Sequence, residues 1–238
     1  MPAAPLNSPV MRQIYNEVAF TWDFLLHLPE EIDPGTLLIV GLHGYGSTPE
    51  AMLRLTVPAV GSRHVIAALR APNQHYASQP GPNAVAAYNW GIQPHWEESV
   101  RLHHRMVQQV LDHTARELGL GPDKAVLMGF SQPVGLNYRF VATYPGKVRG
   151  VIGICGGIPR DWDEPKYHPV DASILHISRD ADEFYPVERA NQFPDQLRRR
   201  ASDVEFHMIP GAHRFPSKAS AIIQPWLERV FGTPPTVK

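Results

Sequence analysis

Residues 124–136 read K-A-V-L-M-G-F-S-Q-P-V-G-L. Ala125, Val126, Leu127 and Met128 form a short apolar run of the kind shown by a strand buried on both faces. After the break at Gly129-Phe130-Ser131-Gln132-Pro133, the apolar residues Val134, Leu136, Phe140 and Val141 recur at helical spacing. The stretch therefore predicts strand, sharp turn, helix. A serine on such a turn stands clear of the sheet beside a helix N-terminus, with the next residue's amide directed where an oxyanion would form, so Ser131 is read as a nucleophile. An inert Gly-Ser-Gln turn has the same local pattern, so the partners decide.

Where a serine occupies such a turn, its partners follow in the order acid, then histidine, each in a loop after a strand. Residues 172–177 (A-S-I-L-H-I) predict one strand, and the loop behind it, S-R-D-A-D-E-F-Y-P, carries Asp180 and Asp182. Residues 204–209 (V-E-F-H-M-I) predict the next, ending in Pro210-Gly211-Ala212-His213, which leaves His213 at the strand's carboxyl edge. Upstream, residues 36–42 (T-L-L-I-V-G-L) are another buried-strand run, followed by His43-Gly44-Tyr45-Gly46-Ser47. Glycines flanking Tyr45 allow the backbone to turn so that the Tyr45 amide, with that of Gln132, faces a bound carbonyl as an oxyanion hole. The pattern points to a serine hydrolase with His213 as base and Asp182 or Asp180 as acid.

The motifs L-H-G-Y-G-S, G-F-S-Q, D-E-F-Y-P and G-A-H together resemble the phospholipase/carboxylesterase group of α/β-hydrolases, which includes the acyl-protein thioesterases. The likeness runs from about Thr36 to Phe231, with the motifs in the family's order. It implies a doubly wound, mostly parallel sheet with helices on both faces, and Ser131, His213 and Asp182 as nucleophile, base and acid. It also implies the Tyr45 and Gln132 amides as the hole. The resemblance favours Asp182 because family members place the acid four residues before a proline, as Asp182 stands to Pro186; counting from His176 favours Asp180 instead. One position departs from the family: its glycine two residues after the serine is Pro133. Proline is tolerated in a first helical turn, but it restricts Gln132, whose amide the hole needs. The expected activity is a carboxylesterase on short or flexible acyl esters, working without cofactor or metal. An acyl-thioesterase or lysophospholipase is the alternative on the same chemistry. A hydrolase-like protein that binds without turnover is the alternative Pro133 raises. A dienelactone-type hydrolase fits less well, since that group carries cysteine at the turn.

Composition narrows the partners. Of 238 residues, 43% are hydrophobic, enough for one substantial core, and 22 Lys plus Arg against 23 Asp plus Glu give no field that would gather nucleic acid or anionic lipid. The run Arg198-Arg199-Arg200 reads as a solvated helix end. The single cysteine, Cys155, excludes an intramolecular disulfide and sits in an apolar run as a buried small side chain. With no signal-peptide pattern and no apolar segment of membrane-spanning length, the expectation is a cytoplasmic protein without membrane insertion. Residues 1–12 are expected as a mobile arm and residues 13–238 as a single domain.

Residues 21–28 suggest an antiparallel edge strand, residues 49–55 a short helix and residues 64–69 a strand. Residues 71–94 show no sustained period and four prolines; such long loops are often functional, which makes Tyr88 and Trp90 candidates for the substrate wall. A long helix is marked by Trp96, Val100, Val107, Leu111, Thr114 and Leu118 and stopped by Gly119. His103, His104 and His113 on it lack the i,i+4 spacing of metal ligands and read as polar-face residues. Asp161, Asp163, Glu164 and His168 read as a solvated loop. Amphipathic helices are expected over residues 185–201 and 217–231. Only residues 156–171 separate the strand ending near Cys155 from the one preceding the acid, so no lid domain fits and the site should be an open, shallow groove.

Overall fold

Parallel strands covered on both faces must be apolar at successive positions, and four segments of this chain meet that condition. β2 (Leu38–Leu42), β3 (Val65–Leu69) and β7 (Gly150–Ile154) are buried throughout, and β6 (Ala125–Phe130) at all but its last residue. The computed structural model describes residues 19–79, 81 and 83–232; the expected arm, residues 1–12, lies outside them. With β1 (Phe24–His27), β8 (Ser173–Arg179) and β9 (Val204–Ile209), these strands form a seven-stranded sheet in the order β1-β3-β2-β6-β7-β8-β9. β1 pairs antiparallel with β3, in register Phe24 with Leu69 through His27 with Ile66, and every other pairing is parallel.

Because strand side chains alternate between faces, the sheet splits the core in two. Leu38, Val40, Leu42, Leu127 and Val151 join α2 (Trp96–Leu118), α3 (Val134–Thr143) and α5 (Phe193–Arg198) on one face. Ile39, Val126, Met128, Ile152 and Leu175 join α1 (Pro49–Val60) and α6 (Ser220–Phe231) on the other. Each fully buried aliphatic side chain contributes about 1.5–3 kcal/mol relative to exposure. The helix ends follow from local chemistry. Thr48 caps α1, its hydroxyl accepting from Ala51 N at 3.2 Å. α2 stops at Gly119, which takes the left-handed conformation at φ 68°.

Four expectations are corrected. Residues 71–94 are not structureless: β4 (Asn73–Tyr76) and β5 (Ala86–Asn89) pair as a small antiparallel sheet. His103 and His104 are buried, because α2 packs against α3 as well as the sheet and its buried stripe is wider than the sequence suggests. The expected helix over residues 185–201 is split into α4 (Val187–Ala190) and α5, since Pro194 enters the first turn of α5 and cannot continue a preceding helix. In the Arg198–Arg200 run, Arg200 is not free in solvent but donates to the carbonyls of Trp162, Glu164 and Tyr167. Those bonds pin the segment joining β7 to β8, which holds turns and no helix, so no lid domain stands there. Among the described residues no helix is long and apolar enough to cross a membrane.

Candidate active site

The carboxyl ends of the parallel strands deliver the loops of the site to one edge of the sheet, where ligands bind in open α/β sheets. Ser131 follows β6 with φ 64°, left-handed backbone that a non-glycine residue adopts only where its surroundings enforce it. The enforcement is visible. Ser131 N donates to Ile154 O at 2.8 Å, and Val134 N donates back to Ser131 O at 3.2 Å. The turn also needs glycine beside it: a Cβ on Gly129 would stand 2.9 Å from Asn137 Nδ2, and one on Gly156 only 2.3 Å from Val134 Cβ. Pro133 takes the N-cap of α3 at φ −75° and ψ −9°, its carbonyl accepting from Asn137 N at 2.8 Å. Its missing N–H lies where no intrahelical partner exists, and its φ is one the ring already prefers.

Three loops meet at His213. Its Nε2 lies 2.8 Å from Ser131 Oγ and its Nδ1 2.8 Å from Asp182 Oδ2. An ionised carboxylate only accepts, so Nδ1 carries the proton and Nε2 is left to accept from the serine hydroxyl. Asp182 is 4% exposed, and its Oδ1 accepts from the amides of Phe184 and Tyr185 at 2.9 and 3.0 Å, which fixes the carboxylate plane. The neighbouring acids hold the histidine loop instead. Asp180 Oδ1 accepts from Gly211 N at 2.8 Å, and Glu183 Oε2 accepts from His213 N at 3.0 Å, a bond that lowers the Glu183 pKa. Of the two acids open in the sequence, Asp182 is the one that reaches the imidazole. Cys155 also stands within 4.8 Å of the Asp182 and His213 ligand atoms. Burial pushes its thiol up to about 12, and both ring nitrogens of His213 are already bonded, so this trio is not arranged to hold a metal.

The loop after β2 supplies the other side. His43 Nδ1 lies 2.8 Å from Gly44 O, and Ala71 N donates to its Nε2 at 3.2 Å, so the ring is neutral with its proton on Nδ1. Burial lowers its pKa to about 4. In a trans peptide the N–H points opposite the carbonyl, so drawing Gly44 O toward His43 turns the Tyr45 N–H away from it. Among the described residues neither the Tyr45 nor the Gln132 amide has a protein acceptor. Gly44 packs against the elbow: a Cβ there would stand 3.3 Å from Ser131 Cβ.

Tyr88 and Trp90, expected on the substrate wall, do not line the cleft at Ser131. Trp90 is wholly buried, with Nε1 donating to His43 O at 2.8 Å. Its amide donates to Gln132 Oε1 at 2.9 Å, while Gln132 Nε2 donates to Gly91 O at 2.8 Å. Tyr88 brackets the Gly44–Ser47 loop through its backbone, accepting from Gly46 N at 2.9 Å and donating to Ser47 O at 3.1 Å, and its ring lies under Arg70. The cleft beside Ser131 and His213, of about 1010 Å³, is lined instead by the aromatic side chains of Tyr45, Phe130, Phe184 and Tyr185. Phe184 and Tyr185 flank the His213 ring at centroid distances of 4.8 and 5.9 Å. Asp161, expected to be solvated, lines this cleft in a largely buried ion pair with Arg139 at 2.6 Å. Sequence reasoning also missed His43, although it stands inside the L-H-G-Y-G-S motif; what hides it is that its partners are backbone atoms.

A mostly parallel sheet with an antiparallel first strand, helices on both faces and a serine on a strained turn after a central strand defines the α/β-hydrolase class. Within that class the chain belongs to the phospholipase/carboxylesterase family, whose sequence profile matches residues 28–230. Among solved structures it is similar to a carboxylesterase from Mesorhizobium loti, with 20% identity over 87% of this chain and 94% of that one and a TM-score of 0.70. The Bacillus cereus carboxylesterase is 16% identical over 88% and 95% of the two chains, with a TM-score of 0.68. Arabidopsis thaliana SOBER1 is 20% identical over 82% and 98%, with a TM-score of 0.66. At these identities the likeness is one of fold. No curated protein matches the chain in sequence.

Proposed function

We propose that the chain is a serine carboxylesterase acting on short or flexible acyl esters through an acyl-enzyme. The observation that carries this reading is the continuous bonding of Ser131 Oγ to His213 Nε2 and of His213 Nδ1 to Asp182 Oδ2, each at 2.8 Å. Ser131 Oγ attacks the ester carbonyl carbon while its proton passes to His213 Nε2, and the carbonyl π pair becomes an oxyanion facing the Tyr45 and Gln132 amides. When the C–O bond to the alcohol breaks, the imidazolium returns that proton to the leaving oxygen. Water, deprotonated by the same nitrogen, then attacks the acyl-enzyme and frees Ser131 and the acid. Asp182 keeps its charge and stabilises the imidazolium in both halves.

Two features at Pro133 support turnover: the residue occupies an N-cap at a φ its ring prefers, and the Gln132 amide before it has no protein acceptor among the described residues. Two measurements test the reading. A fluorophosphonate should label Ser131, with loss of labelling in Ser131→Ala and His213→Ala. A p-nitrophenyl series from acetate upward should be hydrolysed with highest kcat/KM at short chain length, and faster than matched acyl thioesters. An unlabelled serine would remove the esterase; preference for the thioesters would move the substrate class.

A further inference from the structure

The whole chain carries a formal charge of −1, yet one wall of its cleft is cationic. That wall, from α3, the segment after β7 and α4, presents Arg139, Arg160, Lys166 and Arg189 against Asp161 and Glu164. Both acids are already engaged: Asp161 holds Arg139 at 2.6 Å and Lys166 at 2.9 Å, and Glu164 holds Lys166 at 3.0 Å. Arg160 and Arg189 form no ion pair among the described residues. The cleft's remaining carboxylate, Glu97, follows Trp96 at the start of α2. Two guanidinium groups, which stay charged at any working pH, therefore face the cleft with their fork of donors uncommitted.

The placement of Arg189 ties it to the reacting centre. Arg189 lies over the Tyr185 ring at 5.8 Å, and that ring stands 5.9 Å from the His213 ring, so one aromatic side chain spans the step from guanidinium to base. We infer that this cleft selects esters carrying a second, ionised group, a carboxylate or a phosphate, which pairs with Arg160 and Arg189 while the ester carbonyl lies at Ser131. The inference rests on the esterase reading and adds to it a substrate class. A short neutral ester leaves that wall unused, whereas a planar carboxylate or a phosphate oxygen pair suits guanidinium geometry bidentately.

Pairs in which an ionised group replaces a terminal methyl test it. Monoethyl glutarate against ethyl pentanoate places the carboxylate on the acyl side; β-acetoxypropionate against propyl acetate places it on the alcohol side. β-Acetoxyethyl phosphate against propyl acetate replaces carboxylate by phosphate. Hydrolysis is followed by pH-stat. The expected result is a kcat/KM at least about tenfold higher for the charged member of one pair or more, the worth of one charge-assisted hydrogen bond. That ratio should fall toward one in Arg160→Ala/Arg189→Ala, and in the natural protein as salt is raised to about 1 M, where the screening length is about 3 Å. The salt arm needs no variant and stands if the double variant fails to fold. Ratios near or below one in all three pairs, with the neutral esters still hydrolysed, overturn the inference and leave the esterase intact. If no ester is hydrolysed and no fluorophosphonate label appears, the esterase reading fails and the inference falls with it.

Discussion

Asp182→Asn removes one negative charge and almost no volume, yet the surroundings of this side chain dictate a large effect. Asp182 Oδ1 accepts from two amides, at 2.9 and 3.0 Å. In the variant the carbonyl oxygen must keep that place, since an NH2 group there would face two donors. The new NH2 group is thereby turned toward His213 Nδ1, 2.8 Å away in the natural protein, and can only donate. The imidazole must answer with a bare Nδ1 and a proton on Nε2, so the nitrogen that faces Ser131 Oγ can no longer accept. A wrong tautomer at an otherwise intact triad costs on the order of ten-thousand-fold in kcat, about 5.5 kcal/mol of barrier. The assay is kcat and KM on p-nitrophenyl butyrate, with KM expected within about threefold because no wall residue moves. Asp180→Asn is the control. Its side-chain oxygen still accepts from Gly211 N, so kcat should fall by less than about threefold. An Asp182→Asn enzyme within about tenfold of the natural protein would refute the assignment, and equal losses in the two variants would show that the loop, and not the tautomer, is what matters.

Four further outcomes are expected. His43→Leu loses the bond that sets the Gly44–Tyr45 peptide and should lower kcat by up to about a hundredfold, the scale of one hole donor, while His43→Asn, which keeps a donor near Gly44 O, should recover most of it. Pro133→Gly frees an unfolded chain that the ring had restricted, so it should cost about 0.4–1 kcal/mol and a few degrees of Tm by calorimetry, with kcat changed less than about tenfold; a large gain in kcat would show a distorted hole. Gly156→Ala drives a methyl into Val134 and should lower the urea midpoint by about 1–3 kcal/mol equivalent. Burial lowers the pKa of His43, His64 and His104 from 6.5 to about 4 and that of His176 to about 3. The unfolded chain therefore binds more protons below pH 6.5, and stability should be full above that value and fall steadily toward pH 4. A flat urea midpoint between pH 7 and 4.5 would contradict it.

What the sequence made legible was local. Ser131, His213 and the strands before them announce themselves through short apolar runs ending in turns, and β1 through its partial alternation. Residues 73–76 and 86–89 do not, because each strand is four residues long and β4 is mostly solvent-facing, which leaves no periodicity to read. Trp90 reads equally well as wall or as brace until its indole is seen bonded to His43 O. His103 and His104 lie on a helix whose second buried face is created by α3, a contact no spacing within α2 encodes. Asp161 and Arg139 are twenty-two positions apart, and their pairing depends on the turn after β7 folding back over α3.

Gln132 has two tasks in this reading: its amide borders the proposed hole, and its carboxamide holds the 90–91 turn by both of its ends. A displacement of that turn is therefore transmitted through a single side chain to the atom beside the nucleophile. Anyone regrafting residues 71–94 to change specificity inherits this linkage. The replacement must present an N–H at position 90 and a carbonyl at position 91, or the graft will alter rate when only selectivity was intended. The reverse also holds. An apolar residue at 132 would leave the amide of the buried Trp90 without an acceptor, so mutational freedom at the position after the serine is limited by a loop forty residues away in the chain.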